Sequence, residues 1–171
     1  RTRACLAENC PTVLEVDGYA RAGTVQDVSF GVRSGEIFGI ASLVGAGRTE
    51  LARMIFGLDP KDSGTLRFKG KDLTPRDPAD AIRKGVGYLT EDRKGDGLVL
   101  GRPVSENITL VRLASDRRML MNLARERADS DRLVKQMDIR TPTIAQFVVN
   151  LSGGNQQKVV LAKWLYAGAE V

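Results

Sequence analysis

The sequence predicts an α/β protein with an antiparallel sheet in its first part and a mostly helical segment later. Three features predict this class: alternation of apolar and polar residues near the N-terminus, an apolar segment that runs into a glycine turn, and later apolar residues at helical spacing. The chain has 171 residues, 42% apolar and 27% charged, so it can bury a core. Disordered and low-complexity classes are therefore excluded.

Five segments are predicted to be strands. Val13–Asp17 and Val25–Arg33 alternate between apolar and polar residues and are bounded by glycines, which predicts an antiparallel pair. Gly64–Gly70 is a further strand. Glu36–Ser42 and Val86–Thr90 are almost continuously apolar, which is typical of strands buried on both faces of an α/β sheet.

Helical spacing predicts the remaining elements. Apolar residues from Leu51 to Leu58 indicate a helix directly after the glycine turn. Pro78–Lys84 is expected to be a short helix because proline is favoured in a first helical turn. Residues 92–150 form a helical insert, and a last helix follows residues 151–154 and ends at Gly168.

The order of these elements suggests one partial domain after a short linker.

No apolar run approaches the roughly 18 to 20 residues that cross a bilayer, and no leader is visible, so we expect a cytoplasmic location. A start at Arg1 instead of Met indicates a piece of a longer polypeptide. The expected divisions are a linker at 1–11 and a domain at 12–171, itself divided into 12–91 (sheet and glycine turn), 92–150 (helical subdomain) and 151–171 (final turn and helix).

The composition limits the ligands and the kinds of site that this chain can have. With 26 Lys and Arg against 21 Asp and Glu, the net charge of +5 permits attraction to phosphates, lipid head groups or nucleic acid. Aromatic residues make up only 5%, which weakens a single-strand nucleic-acid interpretation. Because the chain contains no His, His-ligated zinc sites and imidazole-dependent triads are excluded within it.

The turn between the apolar segment and the first helix has the features of an anion site. Successive amides of such a turn point into one concavity, and the helix dipole adds about half a positive charge. A hydroxyl in the first helical turn, here Thr49, suits the Mg²⁺ of a nucleotide. An ordinary glycine turn is the alternative. We name this segment the phosphate loop; it comprises Ser42, Leu43, Val44, Gly45, Ala46, Gly47, Arg48 and Thr49.

The phosphate loop departs from the Gly-x-x-x-x-Gly-Lys-Ser/Thr pattern at two positions. Ser42 replaces the first glycine, and Arg48 replaces the lysine. Arg48 keeps the positive charge, but its wide planar fork replaces a compact ammonium. We therefore expect nucleotide binding to survive and hydrolysis at this loop to be impaired.

A second anion site is predicted at the start of the last helix. The segment 151–157 (Leu-Ser-Gly-Gly-Asn-Gln-Gln) places a hydroxyl and two glycines before a helix. A plain N-cap by Ser152 is the alternative, although a cap needs neither the glycines nor the amides behind them.

These two turns, separated by a helical insert, resemble the nucleotide-binding domain of ATP-binding cassette (ABC) transporters, a P-loop NTPase fold. Residues 151–157 are similar to the family's signature motif, and we call them the signature turn. The resemblance runs from Val13 to the last residue. Gly45–Glu50 together with Glu91–Leu98 looks like the second cassette of two-cassette ATPases that import monosaccharides such as ribose, xylose or galactose.

The resemblance implies specific roles. The phosphate loop would hold one ATP, the signature turn would contact the γ-phosphate on a partner cassette, and Thr49 and Glu91 would bind Mg²⁺. Glu91 stands where the family has Gln, and a solvated turn carboxylate is the alternative interpretation of it. The chain is expected to end before the Walker B strand, so this piece alone should be inactive. The residues expected to bind nucleotide are Ser42, Gly45, Ala46, Gly47, Arg48, Thr49, Glu50, Glu91, Ser152, Gly153, Gly154 and Gln156.

The implied partners are ATP, a second cassette in the same polypeptide or a dimer, transmembrane permease subunits and, indirectly, a sugar-binding protein. The implied place is the cytoplasmic face of the inner membrane, and no nucleic-acid partner is expected. The adenine-stacking aromatic has no clear counterpart, because Tyr19 is the only aromatic between Gly18 and Val28. Alternatives are a DNA-repair or translation ATPase of the same superfamily and a nucleotide-binding pseudo-ATPase.

Overall fold

The computed structural model describes residues 10–43, 45–115 and 122–171. The chain divides into two compact units, a first unit up to Lys84 and a second unit over Gly85–Glu170. Most of the predicted linker, together with Val44 of the phosphate loop, lies outside the described residues.

An antiparallel sheet organises the first unit. Its strands are β1 (Thr12–Arg21), β2 (Val25–Arg33), β3 (Ser63–Phe68) and β4 (Lys71–Asp72), in the order β2-β1-β3-β4. The predicted antiparallel pair and the strand predicted at Gly64–Gly70 are confirmed. Leu14 and Val16, which alternate along β1, are buried in the core, and Tyr19 is buried after a register shift.

The prediction that Glu36–Ser42 is a buried strand is wrong. This segment is irregular and exposed, Ile37 completely so. Apolar composition indicates a preference for burial, but a strand also needs a hydrogen-bonded neighbour. Among the described residues no strand pairs with this segment. Phe38 is instead stacked on Phe30 of β2, with ring centroids 4.9 Å apart.

The first unit also contains two helices at the predicted places. Helix α1 (Arg48–Ile55) follows the phosphate loop and buries Leu51 and Met54. Helix α2 (Pro78–Arg83) begins with proline, and the Asp77 side chain caps it by accepting a hydrogen bond from the amide of Asp80 over 2.7 Å.

Helices build the second unit, as predicted for the insert and the last helix. They are α3 (Val104–Ser115), α4 (Leu123–Gln136) and α5 (Gly153–Ala167), the last of which ends at left-handed Gly168. Val86–Thr90, predicted to be a buried strand, is irregular, and no described strand pairs with it. This prediction fails for the same reason as that for Glu36–Ser42.

Helix α5 supplies much of the core of this second unit, where Val159, Val160 and Ala162 are fully or almost fully buried. Val104 and Ile108 of α3 are buried as well. In the ranges that the structure describes, no helix combines the length and the apolar character that a membrane span requires.

Candidate functional site

The phosphate loop ends in a turn whose backbone conformation favours glycine at two positions. Gly45 and Gly47 have φ values of +83° and +84°, in the left-handed region. Gly47 is the residue before α1, and a Cβ atom there would overlap the carbonyl oxygen of Thr24. The turn from β1 to β2 therefore lies directly against the start of α1, and glycine is required by both conformation and space.

The amides at the start of α1 remain available to a ligand. The amide of Ala46 donates to the carbonyl of Leu43 (3.2 Å), and that of Leu51 donates to Gly47 (2.8 Å). In the part of the chain that the structure describes, no protein group accepts from the amides of Arg48 or Thr49, and both residues are exposed. Unpaired first-turn amides at the positive end of a helix are what an anion binds.

A cavity of about 430 Å³ lies beside this turn. Arg48 places a positive charge in its wall, while Val25 and Val28 of β2 give it an apolar side. Ser42 lies on its rim, and its hydroxyl donates to the carbonyl of Leu43 over 3.2 Å. The described residues that line it are Gly23, Thr24, Val25, Gln26, Val28, Ile40, Ser42, Ala46, Gly47, Arg48 and Leu51.

Tyr19 does not contribute to this cavity. Its ring is fully buried and lies under Lys61, whose Nζ is 5.4 Å from the ring centroid. Burial, and secondarily the charge of Asp72, raise the pKa of Tyr19 to about 12. The side of the cavity is therefore aliphatic, and the tyrosine is a core residue.

The signature turn also leaves its first helical amides unpaired. Among the described residues, no protein group accepts from the amides of Gly153, Gly154 or Asn155. Ser152 does not cap the helix with its side chain; its hydroxyl accepts from Nδ2 of Asn155 over 3.0 Å. Ser152 thus occupies the N-cap position without the capping hydrogen bond of a plain Ser cap. The exposed Ser152, Gly153 and Gly154 can receive an anion.

Gln156 is placed differently from the other predicted ligands. It is buried, and its Nε2 donates to the carbonyl of Val148 over 3.1 Å. Its Oε1 accepts from Nε of Arg93 over 3.4 Å. The buried side chain of Gln156 therefore links the first turn of α5 to Val148 and Arg93.

Glu91 lies just before a single wide turn over Arg93–Gly97. Asp92 closes it by accepting from the amides of Lys94 (3.0 Å) and Gly95 (2.9 Å). Glu91 is exposed at its start. The turn leaves the carboxylate of Glu91 open to solvent, where a cation could reach it.

Arg93 and Lys163 are the residues that sequence reasoning missed. One terminal nitrogen of Arg93, Nη2, is 2.8 Å from where a Cβ atom of Gly153 would stand. Nζ of the buried Lys163 donates to the carbonyl of Gly97 over 2.6 Å. The sequence did contain a signal for Lys163, because it is a lysine among the apolar positions of the last helix. A charge at such a position requires a buried partner.

The predicted sites fall in both units. The phosphate loop with Thr49 and the half-buried Glu50 belongs to the first unit, and Glu91 and the signature turn belong to the second. Each unit therefore contains one of the two predicted anion sites.

A family model and the curated relatives of this chain both point to ABC transporter proteins. A family model described as ABC transporter matches residues 25–171. Ribose import ATP-binding protein RbsA 3 of Rubrobacter xylanophilus is 52% identical over 165 residues, which cover 96% of this chain and 33% of that protein. Ribose import ATP-binding protein RbsA of Bacillus licheniformis is 49% identical, over 93% of this chain and 32% of that protein. The chain thus spans about a third of the length of these curated relatives.

Solved structures agree on the fold. The ATP-binding cassette MJ0796, in a dimeric post-hydrolysis state with ADP and Pi, superposes with a TM-score of 0.72 at 18% identity, over 91% of this chain and 70% of that one. The ADP conformation of the cassette MJ1267 gives a TM-score of 0.74 at 19% identity, over 93% and 66% of the two chains. At this level of identity the likeness concerns the architecture.

Proposed function

Because this chain belongs to the ABC transporter family, we propose that it is part of the ATP-binding subunit of an importer that couples ATP binding and hydrolysis to monosaccharide uptake. Relatives that are about half identical to it are ribose import ATP-binding proteins. We place it in the second of two cassettes, because Gly45–Glu50 and Glu91–Leu98 resemble that cassette. These relatives do not favour a DNA-repair or translation ATPase.

The proposed division of labour follows the two helix starts. The phosphate loop binds the phosphates of this cassette's own nucleotide, through the free amides of α1. The signature turn binds the γ-phosphate of the nucleotide on the partner cassette. The observation that carries this proposal is that Ser152 leaves the first amides of α5 unpaired and exposed.

Stabilisation of a transferring phosphoryl group needs preorganised donors. The amides of Gly153, Gly154 and Asn155 are fixed by the helix behind them, so they require no rearrangement when charge develops. The hydroxyl of Ser152 can add a further donor. Mg²⁺, when bound with ATP, neutralises phosphate charge, and the exposed oxygens of Thr49 and Glu91 are of the type that it prefers.

Arg48 reduces the catalytic capacity of the phosphate loop. A guanidinium carries the same charge as an ammonium but is wider and planar. The loop therefore binds nucleotide and hydrolyses it poorly, while the signature turn serves the partner's intact site. The aliphatic wall at Val25 and Val28 gives the base apolar contact without ring stacking.

The proposed partners are a second cassette, transmembrane permease subunits and, through them, a sugar-binding protein. The subunit would act peripherally, on the cytoplasmic face of the inner membrane. Cassettes that alternate between open and closed pairs change the position of attached membrane subunits, which converts nucleotide binding into transport.

The substitution Ser152→Arg in the full-length protein tests the signature assignment. A large cation in the exposed turn should block phosphate access and reduce ATP turnover by at least about a hundredfold. The matched control is Ser34→Arg, which places the same side chain at an exposed turn of the first unit. Unchanged turnover in Ser152→Arg would contradict the assignment.

A further inference from the structure

The turn over Arg93–Gly97 is attached to α5 at both of its ends. At the first end, Nε of Arg93 donates to Oε1 of Gln156 over 3.4 Å. At the other end, Gly97 accepts a 2.6 Å hydrogen bond from Lys163. The turn and the helix are therefore linked from Gln156 to Lys163, over about two turns of α5.

The attachment through Arg93 reaches the signature turn itself. The Oε1 atom of Gln156 accepts from Arg93, and the Nε2 atom of the same side chain donates to the carbonyl of Val148. The terminal nitrogen Nη2 of Arg93 lies over Gly153, 2.8 Å from the position of a Cβ atom. The planar guanidinium of Arg93 can donate through Nε to Gln156 while Nη2 lies over Gly153, because its nitrogens have a fixed relative geometry.

The charge of Arg93 does not serve an ion pair. Among the residues that the structure describes, no carboxylate forms a salt bridge with it. A cation at the amino end of a helix is unfavourable, because the helix dipole has the same sign there. Stability alone therefore does not account for an arginine at this place.

We propose that Arg93 is a positioning residue for the signature turn. It fixes Gln156 and covers Gly153, so that the first amides of α5 keep the direction in which they meet a phosphate. This inference rests on the proposed function, in which the signature turn binds the γ-phosphate of the partner cassette's nucleotide. It adds a residue 59 positions before Ser152 to that site.

The test is trapping of ADP with orthovanadate, which mimics the transferring phosphoryl group, in the full-length protein with its membrane subunits. Arg93→Gln should reduce the trapped complex about tenfold or more, while ADP affinity stays within about twofold. Arg93→Lys should fail to restore trapping, because an ammonium lacks the fork. The control Lys94→Gln removes the same charge from the exposed neighbour and should trap normally.

Three results would overturn the proposal. Normal trapping by Arg93→Gln would remove any role for the residue. A parallel loss of ADP affinity and trapping would indicate general damage to the fold, and full rescue by Arg93→Lys would indicate that charge alone matters. Ser152→Arg separates the two levels: if it traps normally, the signature assignment itself fails, whereas its loss of trapping beside a normal Arg93→Gln refutes only Arg93.

Discussion

Lys163 lies in the middle of α5, and its Nζ donates to the carbonyl oxygen of Gly97 over 2.6 Å in a buried position. The ring of Trp164 is 5.5 Å from the same ammonium. Burial lowers the pKa of Lys163, because the charged form loses hydration. The second unit therefore contains a buried lysine whose role is to hold the turn that begins beside Glu91.

Replacement of this lysine tests that role. Lys163→Met leaves the carbonyl of Gly97 without its donor and should lower the free energy of unfolding by about 1 to 3 kcal/mol. The folded pKa of Lys163 is below the unfolded value near 10, so between the two the unfolded state binds more protons and stability rises with pH. Urea unfolding from neutral to alkaline pH should show this rise in the parent chain and lose it in Lys163→Met. Equal slopes would contradict the assignment; Lys94→Met is the exposed control.

A pair of glycines in the phosphate loop separates backbone strain from crowding. Gly45→Ala meets open space and should cost only the left-handed conformation, about 1 kcal/mol. Gly47→Ala pays the same conformational cost and also overlaps the carbonyl of Thr24, so about 3 kcal/mol or more is expected. Thermal and urea unfolding measure both variants. Equal losses would show that the contact between the β1 to β2 turn and α1 is not tight.

A second pair of glycines tests the position of Arg93. Gly154→Ala meets open space and should stabilise α5 by about 0.5 to 1 kcal/mol, since alanine is the better helix former. Gly153→Ala should gain less, because its methyl group displaces the guanidinium of Arg93. In an Arg93→Ala background the two glycine substitutions should become equivalent. If Gly153→Ala gained as much as Gly154→Ala in the parent chain, Arg93 would not lie over Gly153.

Asp59, four residues after the end of α1, gives a prediction for acid pH. A hydrogen bond from Arg53 (2.9 Å) is the main cause that lowers the pKa of Asp59, and Arg21, whose Nη1 is 3.1 Å away, adds to it. A lowered folded pKa contributes stability that is present above the unfolded value near 3.9 and is lost as the pH falls through the folded value. Unfolding measured from pH 6 to pH 2 should therefore decline less steeply in Asp59→Asn. An unchanged decline would show that these contacts do not form in solution.

The elements with a local periodic signal could be predicted from the sequence. The alternation in Val25–Arg33 and the helical spacing after Gly154 each identified an element close to its observed bounds. The predicted ABC cassette fold is confirmed by the superposed cassettes. The prediction of a strand at Glu36–Ser42 was wrong because apolar composition indicates only a preference for burial. It does not indicate which strand could pair with the segment.

The contacts of Arg93 could not be predicted for a similar reason. Its partners Gly153 and Gln156 are about 60 residues away in the chain, and no local pattern joins them. The sequence did identify the two glycine turns, since in each the glycines stand directly before a run of apolar residues at helical spacing. Whether Ser152 capped α5 depended on its rotamer and on Asn155, which only the structure provides.

Hydrogen exchange of the backbone amides, in the full-length protein with and without Mg²⁺ and ATP, shows whether both helix starts bind phosphate. We expect nucleotide to slow exchange at Arg48 and Thr49 and also at Gly153 and Gly154, because phosphates of two different nucleotides accept from them. Ser152→Arg should abolish the second effect and leave the first. Protection at α1 with unchanged exchange at α5 in the parent protein would contradict the account.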